Sequence, residues 1–169
     1  MGDIKRKRNK FTKPKKLFER SRIDEENILV KKYGLKNKKE IWKAKSLVSR
    51  FRKRAKELIS SDTEEQQKFF EKLNKLGLNI VSLADILGLE EKDVLERRLQ
   101  TYISKKGLAN TVKQARQLIV HKHVLVDGVI VNIPSFWVTQ ELENKISLVE
   151  QKPKKAIAVE NKNENGEEE

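Results

Sequence analysis

The feature of this sequence that most constrains its fold is a short hairpin signal in the last third of the chain. Residues 124–131 read VLVDGVIV, so that an Asp-Gly pair separates two aliphatic, mostly β-branched runs. Asp-Gly favours a two-residue turn because both central positions of that turn adopt positive φ, which these two residues tolerate well. The sequence therefore predicts two antiparallel strands joined at Asp127 and Gly128.

Helical patterns precede the hairpin, and a further strand follows it. Apolar residues at helical spacing predict a helix from about Glu91 to Lys105, which stops at Gly107. A second helix begins after Asn110 or Thr111, either of which can cap it. Another strand is predicted at 145–149. Two helices followed by a small antiparallel sheet form an α+β arrangement.

The region before these elements is predicted to be a helical bundle. Residues 37–59 carry apolar side chains at spacings of three and four. Two capping boxes, at Ser61–Glu64 and Ser82–Asp85, mark further helix starts, because a hydroxyl and a carboxylate three residues apart satisfy free backbone N–H groups. The predicted core of this bundle consists of large apolar side chains, namely Trp42, Phe51, Phe69, Phe70 and Leu73.

The chain carries a large excess of positive charge. Its 169 residues include 38 Lys and Arg against 25 Asp and Glu, a net charge of +13. Such an excess costs self-repulsion in the folded state, so it favours a polyanionic partner: RNA, DNA or an anionic membrane. No run approaches the roughly 20 apolar residues of a spanning helix, and the basic N-terminus has no apolar signal core. Without cysteine there is no disulfide or thiolate zinc site, and we expect a cytoplasmic protein with no membrane partner.

Both ends of the chain are predicted to lie outside the packed structure. Residues 1–36 are dense in charge with little apolar periodicity, which predicts a basic extended arm. The arm is either a solvated tail or a segment that orders when phosphates neutralise Lys5, Arg6 and Arg8. Residues 151–169 are rich in Lys, Glu and Asn, which predicts a disordered charged tail. The predicted divisions are a basic extended arm at 1–36, a helical domain at 37–92, a module of helices and hairpin at 93–150 and a disordered charged tail at 151–169.

The polar side of the helix at 37–59 is almost entirely basic. A solvated helix surface normally mixes the two signs of charge, because opposite charges four residues apart stabilise it. The excess of cations favours phosphate contact over an ordinary solvated surface, which is the alternative interpretation. The candidate phosphate ligands on this helix are Lys43, Arg50, Lys53 and Arg54.

The sequence offers no convergent catalytic groups. An active site needs a nucleophile near its base, or carboxylates near a metal ligand. The two histidines, His121 and His123, have no carboxylate close in sequence, so they are predicted to be polar contacts at a helix end rather than metal ligands. No Gly-rich phosphate loop, nucleophile elbow or dinucleotide fingerprint is present. We expect no enzymatic activity, no cofactor and no small-molecule substrate.

Several motifs in residues 93–149 occur in an order that resembles the S-four RNA-binding domain. They read DVLERRLQT at 93–101, KGLA at 106–109, QARQLI at 114–119, then His121, His123-Val124 and VNIPSF at 131–136. The pairing of ERRLQT with NIPSF is similar to the archaeal and eukaryotic branch of the small-subunit ribosomal protein family from which the domain takes its name. The resemblance implies two antiparallel helices packed on a small twisted sheet.

The resemblance also implies that the helix at 111–122 and the hairpin edge lie against ribosomal RNA. Helical phasing agrees, because the inward apolar positions leave Lys113, Arg116 and Gln117 outside, and Arg97 opposite the apolar face of its own helix. An ordinary solvated Arg97 is the alternative. The candidate RNA ligands of the module are Arg97, Arg98, Lys105, Thr111, Lys113, Arg116, Gln117, His121, Lys122, His123, Asn132 and Ser135.

The sequence departs from the family pattern in three ways. Lys122 stands where many relatives have Gly, and it costs about 1 kcal/mol if that position needs positive φ. Val129 and Ile130 replace a basic pair often found on the hairpin, so the turn is not expected to contact phosphate. The absence of cysteine excludes the N-terminal zinc knuckle of some bacterial relatives.

The leading hypothesis is a structural protein of the small ribosomal subunit. By resemblance it would bind small-subunit rRNA, nucleate assembly, contact neighbouring subunit proteins and help shape the path by which mRNA enters. One alternative is a free RNA-binding or ribosome-assembly factor. The other is an RNA-modifying enzyme that uses the same module, which is disfavoured because the residues before the module are helical and basic.

Overall fold

The computed structural model describes residues 9–149 of the chain. The predictions for Lys5, Arg6 and Arg8 and for the tail at 151–169 lie outside these residues. The described part consists of helices followed by a small sheet, in the order α1 (Arg20–Lys32), α2 (Lys39–Leu58), α3 (Thr63–Lys75), α4 (Leu83–Gly88), α5 (Glu91–Glu96), α6 (Leu99–Lys105), α7 (Val112–Val120), β1 (Val124–Val126), β2 (Val129–Ile130), a 3-10 helix (Gln140–Lys145) and β3 (Ile146–Leu148).

The helical region packs around the apolar stripe of α2. Ile41, Ala44, Val48 and Ala55 are all buried at the spacings that the sequence predicts for one helix face. Of the predicted bundle core, Leu73 is fully buried. The four predicted aromatic residues are only partly buried and pack against the cluster from its rim: Trp42, Phe51, Phe69 and Phe70.

The prediction of an extended arm is wrong for its second half, where α1 forms. The helix has no strong apolar stripe, which is why its sequence does not show helical periodicity. It is held instead by a buried carboxylate, since Glu26 accepts hydrogen bonds from Arg22 Nη1 at 2.6 Å and from Trp42 Nε1 at 2.9 Å. Tyr33 and Leu35, just after the helix, are buried in the core.

The single helix predicted from Glu91 to Lys105 is also wrong, because the chain breaks at Arg97 and Arg98. Arg98 is extended, and it forms an isolated antiparallel bridge with Trp137. The backbone N–H of Leu99 donates to the Phe136 carbonyl at 2.8 Å. Backbone groups freed by the break are thus satisfied by a distant segment, as buried backbone groups must be. No local pattern of apolar residues reports such a pairing.

The second core lies between α6, α7 and the sheet, as the resemblance implies. The Thr111 hydroxyl caps α7 by accepting from Gln114 N at 3.1 Å, which confirms one of the two predicted caps. The strands are antiparallel in the order β2-β1-β3, with Asp127 and Gly128 at φ 52° and 76° in the predicted turn. The α+β prediction is confirmed.

The two predicted capping boxes have different outcomes. The box at Ser82–Asp85 forms, with reciprocal hydrogen bonds between the two residues. The box at Ser61–Glu64 does not form, and α3 begins after Asp62 without a side-chain cap.

The two cores meet where α3 ends. Trp137 packs against the helical core and donates from Nε1 to the Leu76 carbonyl at 2.9 Å. Gly77 follows at φ 79°, and the Arg97 guanidinium lies directly against its Cα. Arg97 is fixed there because it donates to the Val138 carbonyl at 2.9 Å and pairs with Glu143. The glycine therefore supplies both a left-handed backbone and the space for this arginine.

Gly77→Ala is expected to lower the free energy of unfolding by about 2 kcal/mol or more, as measured by urea denaturation. Positive φ costs an L residue about 1 kcal/mol, and an added Cβ would lie 2.2 Å from Arg97 Nη2. The matched control is Gly107→Ala, which has φ 75° and open space around the Cβ position. Gly107→Ala should lower the free energy of unfolding only by the cost of positive φ. Equal losses of unfolding free energy in the two variants would contradict the packing role of Gly77.

Candidate nucleic-acid interface

A groove of about 530 Å³ runs between α2 and the module, and we call it the cationic groove. Its apolar floor comes from the helical core, through Ala44, Leu47, Val94 and Leu95, and Pro134 and Trp137 lie on the module side. Its charged lining consists of five cations and one carboxylate, namely Lys10, Lys43, Arg50, Arg98, Arg116 and Glu40. Five residues that the sequence predicts as RNA ligands are brought together here from distant positions: Lys43, Arg50, Arg98, Arg116 and Ser135.

Glu40 organises the arginines of the groove. Its carboxylate pairs with Arg98 and also with Arg116, whose Nη2 lies 3.1 Å from Oε1. Burial tends to raise the pKa of this carboxyl, but the hydrogen bonds and charges of the two arginines outweigh burial and hold the pKa below its ordinary value. Glu40 is therefore an ionised tie between α2 and the module.

Gln100 extends this network into the interior. Its side chain is almost fully buried, and Oε1 accepts from Arg116 Nη1 at 3.2 Å. Its Nε2 lies within hydrogen-bond distance of the carbonyls of Tyr33, Gly34 and Val112, at 3.0 to 3.2 Å. The close approach to Gly34 explains the glycine, since a Cβ there would lie 3.0 Å from Gln100 Nε2. Arg116 is thus held by groups that are themselves fixed.

Several cations that the sequence predicts as free RNA ligands are engaged within the protein. Arg97 is not exposed opposite an apolar face, because it is packed against Gly77 and paired with Glu143. Arg98 is only 7% exposed and bound to Glu40. Lys105 is exposed but pairs with Glu96 at 2.7 Å. The prediction that Arg97 and Arg98 are freely exposed is therefore wrong, because their hydrogen-bond partners Val138, Glu143 and Glu40 lie more than 40 residues away in sequence.

Tyr33 belongs to the same polar network, because its carbonyl lies 3.2 Å from Gln100 Nε2. Tyr33 donates to Glu96 Oε1 at 3.2 Å. Burial, followed by the negative charge of Glu96, raises the pKa of Tyr33 to about 12. The hydroxyl therefore stays protonated and serves as a hydrogen-bond donor rather than as a base.

The exposed cations of α2 flank the groove. Lys43, Arg50 and Lys53 are exposed and form no ion pair with another residue in 9–149. Arg54 differs, because it lies near Glu57 and Glu65 on the far end of the helix and does not line the groove. Lys10 is a groove residue that sequence reasoning did not single out, although it belongs to the basic run preceding α1.

The outer side of α7 carries a second group of predicted ligands. A shallow cavity of about 380 Å³ is lined by Gln114, Gln117, Leu118, His121 and His123, and we call it the histidine slot. Gln114 was not predicted as a ligand; it lies in the first turn of α7, where its Oε1 accepts from the Asn110 N–H at 3.1 Å. Lys113 and Lys122 are exposed nearby on the same helix and its C-terminal turn.

The remaining predicted ligands occupy separate places. The Thr111 hydroxyl is used as the α7 cap, and Asn132 is exposed outside both cavities. Lys122 has φ 64°, so the positive φ inferred from the family pattern is present. The lysine takes this conformation where a glycine would have no steric cost.

Other kinds of site are not seen in the part of the chain described. Within residues 9–149, no three His, Asp or Glu side chains are placed to hold a metal ion. None of the helices there is long and apolar enough to cross a membrane.

Comparison with known proteins relates this geometry to a family. The model of the S4 domain matches residues 97–143, which include α6, α7 and the hairpin. A Nanoarchaeum equitans protein named small ribosomal subunit protein uS4 is 45% identical over 152 residues, covering 85% of this chain and 84% of that protein. The chain belongs to the uS4 family. Relatives of the same name are 41% identical in Methanothermobacter thermautotrophicus (92% of this chain and 94% of that protein) and 44% identical in Saccharolobus islandicus (86% and 84%).

The similarity to uS4 proteins extends over far more of the chain than the match to the S4 domain. The matched segments of the relatives are long enough to include helical residues before the module as well as the module itself. The cationic groove therefore lies between two parts that occur together in the family. The resemblance inferred from the sequence motifs is confirmed.

Glu40→Gln is expected to lower the free energy of unfolding at pH 7 by about 2 kcal/mol, because it removes the charge that balances two partly buried arginines while leaving one acceptor. The pKa of Glu40 is lower in the folded chain than in the unfolded chain. The ionised carboxylate therefore stabilises the fold fully at pH values above the pKa that Glu40 has in the unfolded chain. This stabilisation is lost as the pH falls through the lower pKa that Glu40 has in the folded chain.

The wild type should accordingly lose more stability than Glu40→Gln as the pH is lowered below about 4.5, in urea titrations of both proteins. Glu64→Gln is a suitable control, because Glu64 faces Lys68 at 3.9 Å with both side chains largely exposed. A Glu40→Gln variant as stable as Glu64→Gln would show that the Glu40 network does not hold the two parts together.

Proposed function

We propose that this protein is a structural constituent of the small ribosomal subunit and binds small-subunit rRNA. The supporting observation is the cationic groove, which brings five cations to one cavity in a member of the uS4 family. Its relatives are named as proteins of the small ribosomal subunit. An RNA backbone supplies the closely spaced negative charge that such a lining attracts.

In this proposal the groove binds RNA backbone by charge and shape. Lys43 and Arg50 reach phosphates from the α2 side, and Lys10 reaches them from the segment before α1. Arg116 presents part of its guanidinium to the groove while Glu40 and Gln100 hold it. A pre-positioned arginine loses less conformational entropy when it binds phosphate, which favours affinity.

The basic segment before α1 extends the same contact. Phe11 lies against Trp42, with ring centroids 6.1 Å apart, and the neighbouring Lys10 lines the groove. Lys5, Arg6 and Arg8 precede Lys10 closely in sequence. We propose that these three residues contact the RNA backbone next to the groove.

The outer side of α7 forms a second RNA-contacting surface in the proposal. Lys113, Gln117 and Lys122 are exposed there with the two histidines. Asn132 and Ser135, in the loop after the hairpin, are proposed to contact RNA between the two surfaces. Lys53 belongs to the α2 side. Arg54, Arg97, Arg98, Lys105 and Thr111 are assigned lesser roles, because each has a partner within the protein.

The edge of the sheet is the surface that we propose for a neighbouring subunit protein. Val129, Ile130 and Ile133 are 66%, 53% and 54% exposed, on or just after the edge strand β2. An uncharged apolar edge on a strongly basic chain suits contact with protein better than with phosphate. We further propose that the protein acts in the cytoplasm on the ribosome, without enzymatic activity, nucleates assembly and lies where mRNA enters the subunit.

Sedimentation of cell lysates tests the proposed place of action. The protein should travel with small subunits and remain there after a moderate salt wash, because a structural protein is integrated by many phosphate contacts. A free RNA-binding or assembly factor would instead appear mainly in the unbound fractions, and that outcome would overturn the ribosomal role.

Replacing two groove cations tests the proposed interface. Lys43→Ala with Arg50→Ala should weaken binding to transcribed small-subunit rRNA from the organism that encodes the chain. It should also reduce the slope of log K against log salt by about 1.5, since each lost phosphate contact removes about 0.7 to 0.9 from the slope. Filter binding over a range of salt concentrations measures both quantities.

The matched control is Lys72→Ala with Lys75→Ala. These exposed lysines on α3 change the net charge by the same amount but do not line the groove. Equal reductions in slope for the two double variants would mean that the protein binds rRNA through general charge, and would contradict the groove as the interface.

A further inference from the structure

The histidine slot has the geometry of a stacking site. The rings of His121 and His123 are inclined by only 29°, and their centroids are 6.4 Å apart. A centroid separation of about 4.5 to 7 Å is usual for two paired aromatic rings, so the two histidines together present a nearly continuous aromatic surface. Both residues line the adjoining cavity, where a flat group can stack against this surface.

The backbone after α7 explains why both rings face one cavity. Lys122 has φ 64°, and the N–H groups of Lys122 and His123 donate to the carbonyls of Ile119 and Leu118 at 3.0 and 2.9 Å. This is the Schellman arrangement, in which a left-handed residue reverses the chain at a helix end. This reversal places the side chains of His121 and His123, which are two residues apart in sequence, on the same side of the chain.

The two walls of the slot differ in freedom. His123 is partly buried beside β1, whereas His121 is exposed at the end of α7. A small rotation of the exposed ring can therefore adjust the spacing while the other ring stays in place. Leu118 adds an apolar surface to the same cavity.

The slot also carries groups that can form hydrogen bonds with the edge of a base. Gln114 and Gln117 line it. Gln114 Oε1 already accepts from the Asn110 N–H at 3.1 Å, so Gln114 offers its NH₂ donors, whereas the Gln117 amide offers both donors and an acceptor. The cavity lining contains no carboxylate that would repel RNA. Lys122 is exposed between the histidines in sequence and can reach the phosphate attached to a stacked nucleotide.

The slot and the cationic groove lie on different sides of α7. Successive residues of a helix are about 100° apart, so Gln114 and Arg116 lie about 160° apart around the axis. Arg116 lines the groove and Gln114 lines the slot. A contact made in the slot is therefore separate from the phosphate contacts of the groove.

We propose that the histidine slot binds one unpaired nucleobase of RNA, stacked against the rings of His121 and His123 with the amides of Gln114 and Gln117 at its edge. Unpaired bases splayed out of folded RNA are commonly recognised by stacking on aromatic side chains. The proposal rests on the proposed rRNA-binding function and adds a base-stacking site to its phosphate contacts.

Substitution of the histidines tests the slot. His121→Leu with His123→Leu should weaken binding to transcribed small-subunit rRNA by about fivefold or more, the loss expected for one stacked base. His121→Phe with His123→Phe keeps two flat rings and should stay within about twofold of the wild type. Neither pair should change the salt slope, because stacking releases no counterions.

The outcomes separate the two proposals. If wild-type protein does not bind the rRNA, the proposed function fails. If it binds and the Leu and Phe pairs bind equally well, or lose equal affinity, the stacking slot is excluded. A salt slope lowered in both pairs would also exclude it, since the histidines would then act as phosphate ligands.

A second measurement uses the unaltered chain. Addition of hexaadenylate should shift the ring-proton NMR signals of both histidines upfield, because a stacked base shields protons that lie over its face. A hexameric abasic phosphodiester of the same charge should not produce this shift. Equal shifts with the two oligomers, or no shift of either histidine with hexaadenylate, would overturn the proposal even if the Leu variants fail to fold.

Discussion

The Glu40 carboxylate is the ionic interaction that joins the helical part of the structure to the module. It lies in the first turn of α2, in the helical core, yet its partners Arg98 and Arg116 belong to the module. Two guanidinium groups close together would repel each other, and one ionised carboxylate between them removes that cost. The buried amide of Gln100 then joins Arg116 to the backbone at Tyr33 and Gly34. These polar contacts join α2 to α7 across the cationic groove, and the Trp137 contact with the helical core forms a second junction between the two parts.

A carboxylate in an RNA-binding groove is unfavourable for phosphate by itself, so its presence requires an explanation. Without Glu40, Arg98 would be a buried cation without a balancing charge, a situation that costs several kcal/mol. With Glu40, the inner arginines are held by the protein while Lys43 and Arg50 remain exposed at the rim. In the proposed interface the rim cations attract phosphate groups, and the inner network holds the arginines of the groove rigidly in place. This division is favourable because rigid groups lose less entropy on binding.

The elements of the module could be predicted from the sequence because their signals are local. The Asp-Gly turn, the Thr111 cap and the stripe of α2 depend on residues only a few positions apart. The break at Arg97–Arg98 could not be predicted, since it depends on pairing with Trp137. Helix α1 was missed because a buried Glu26, rather than an apolar stripe, holds it. The same limit applies to the site: the sequence shows which residues are cationic, but only the fold shows which cations already have partners.

Lys122 illustrates how a locally unfavourable residue can be retained in a stable fold. Within residues 9–149, α3, α6 and α7 end with both Schellman hydrogen bonds, and at Gly77 and Gly107 the left-handed position has no steric cost. At the end of α7 a lysine occupies the left-handed position, which lowers the stability by about 1 kcal/mol relative to glycine. The Schellman hydrogen bonds and the buried Ile119 and Val124 on either side hold the turn closed despite it. A glycine would form the same turn without this cost, so stability does not account for the lysine side chain. Strain of this kind is typically found where a surface contacts a ligand, and here it lies between the two rings that form the slot.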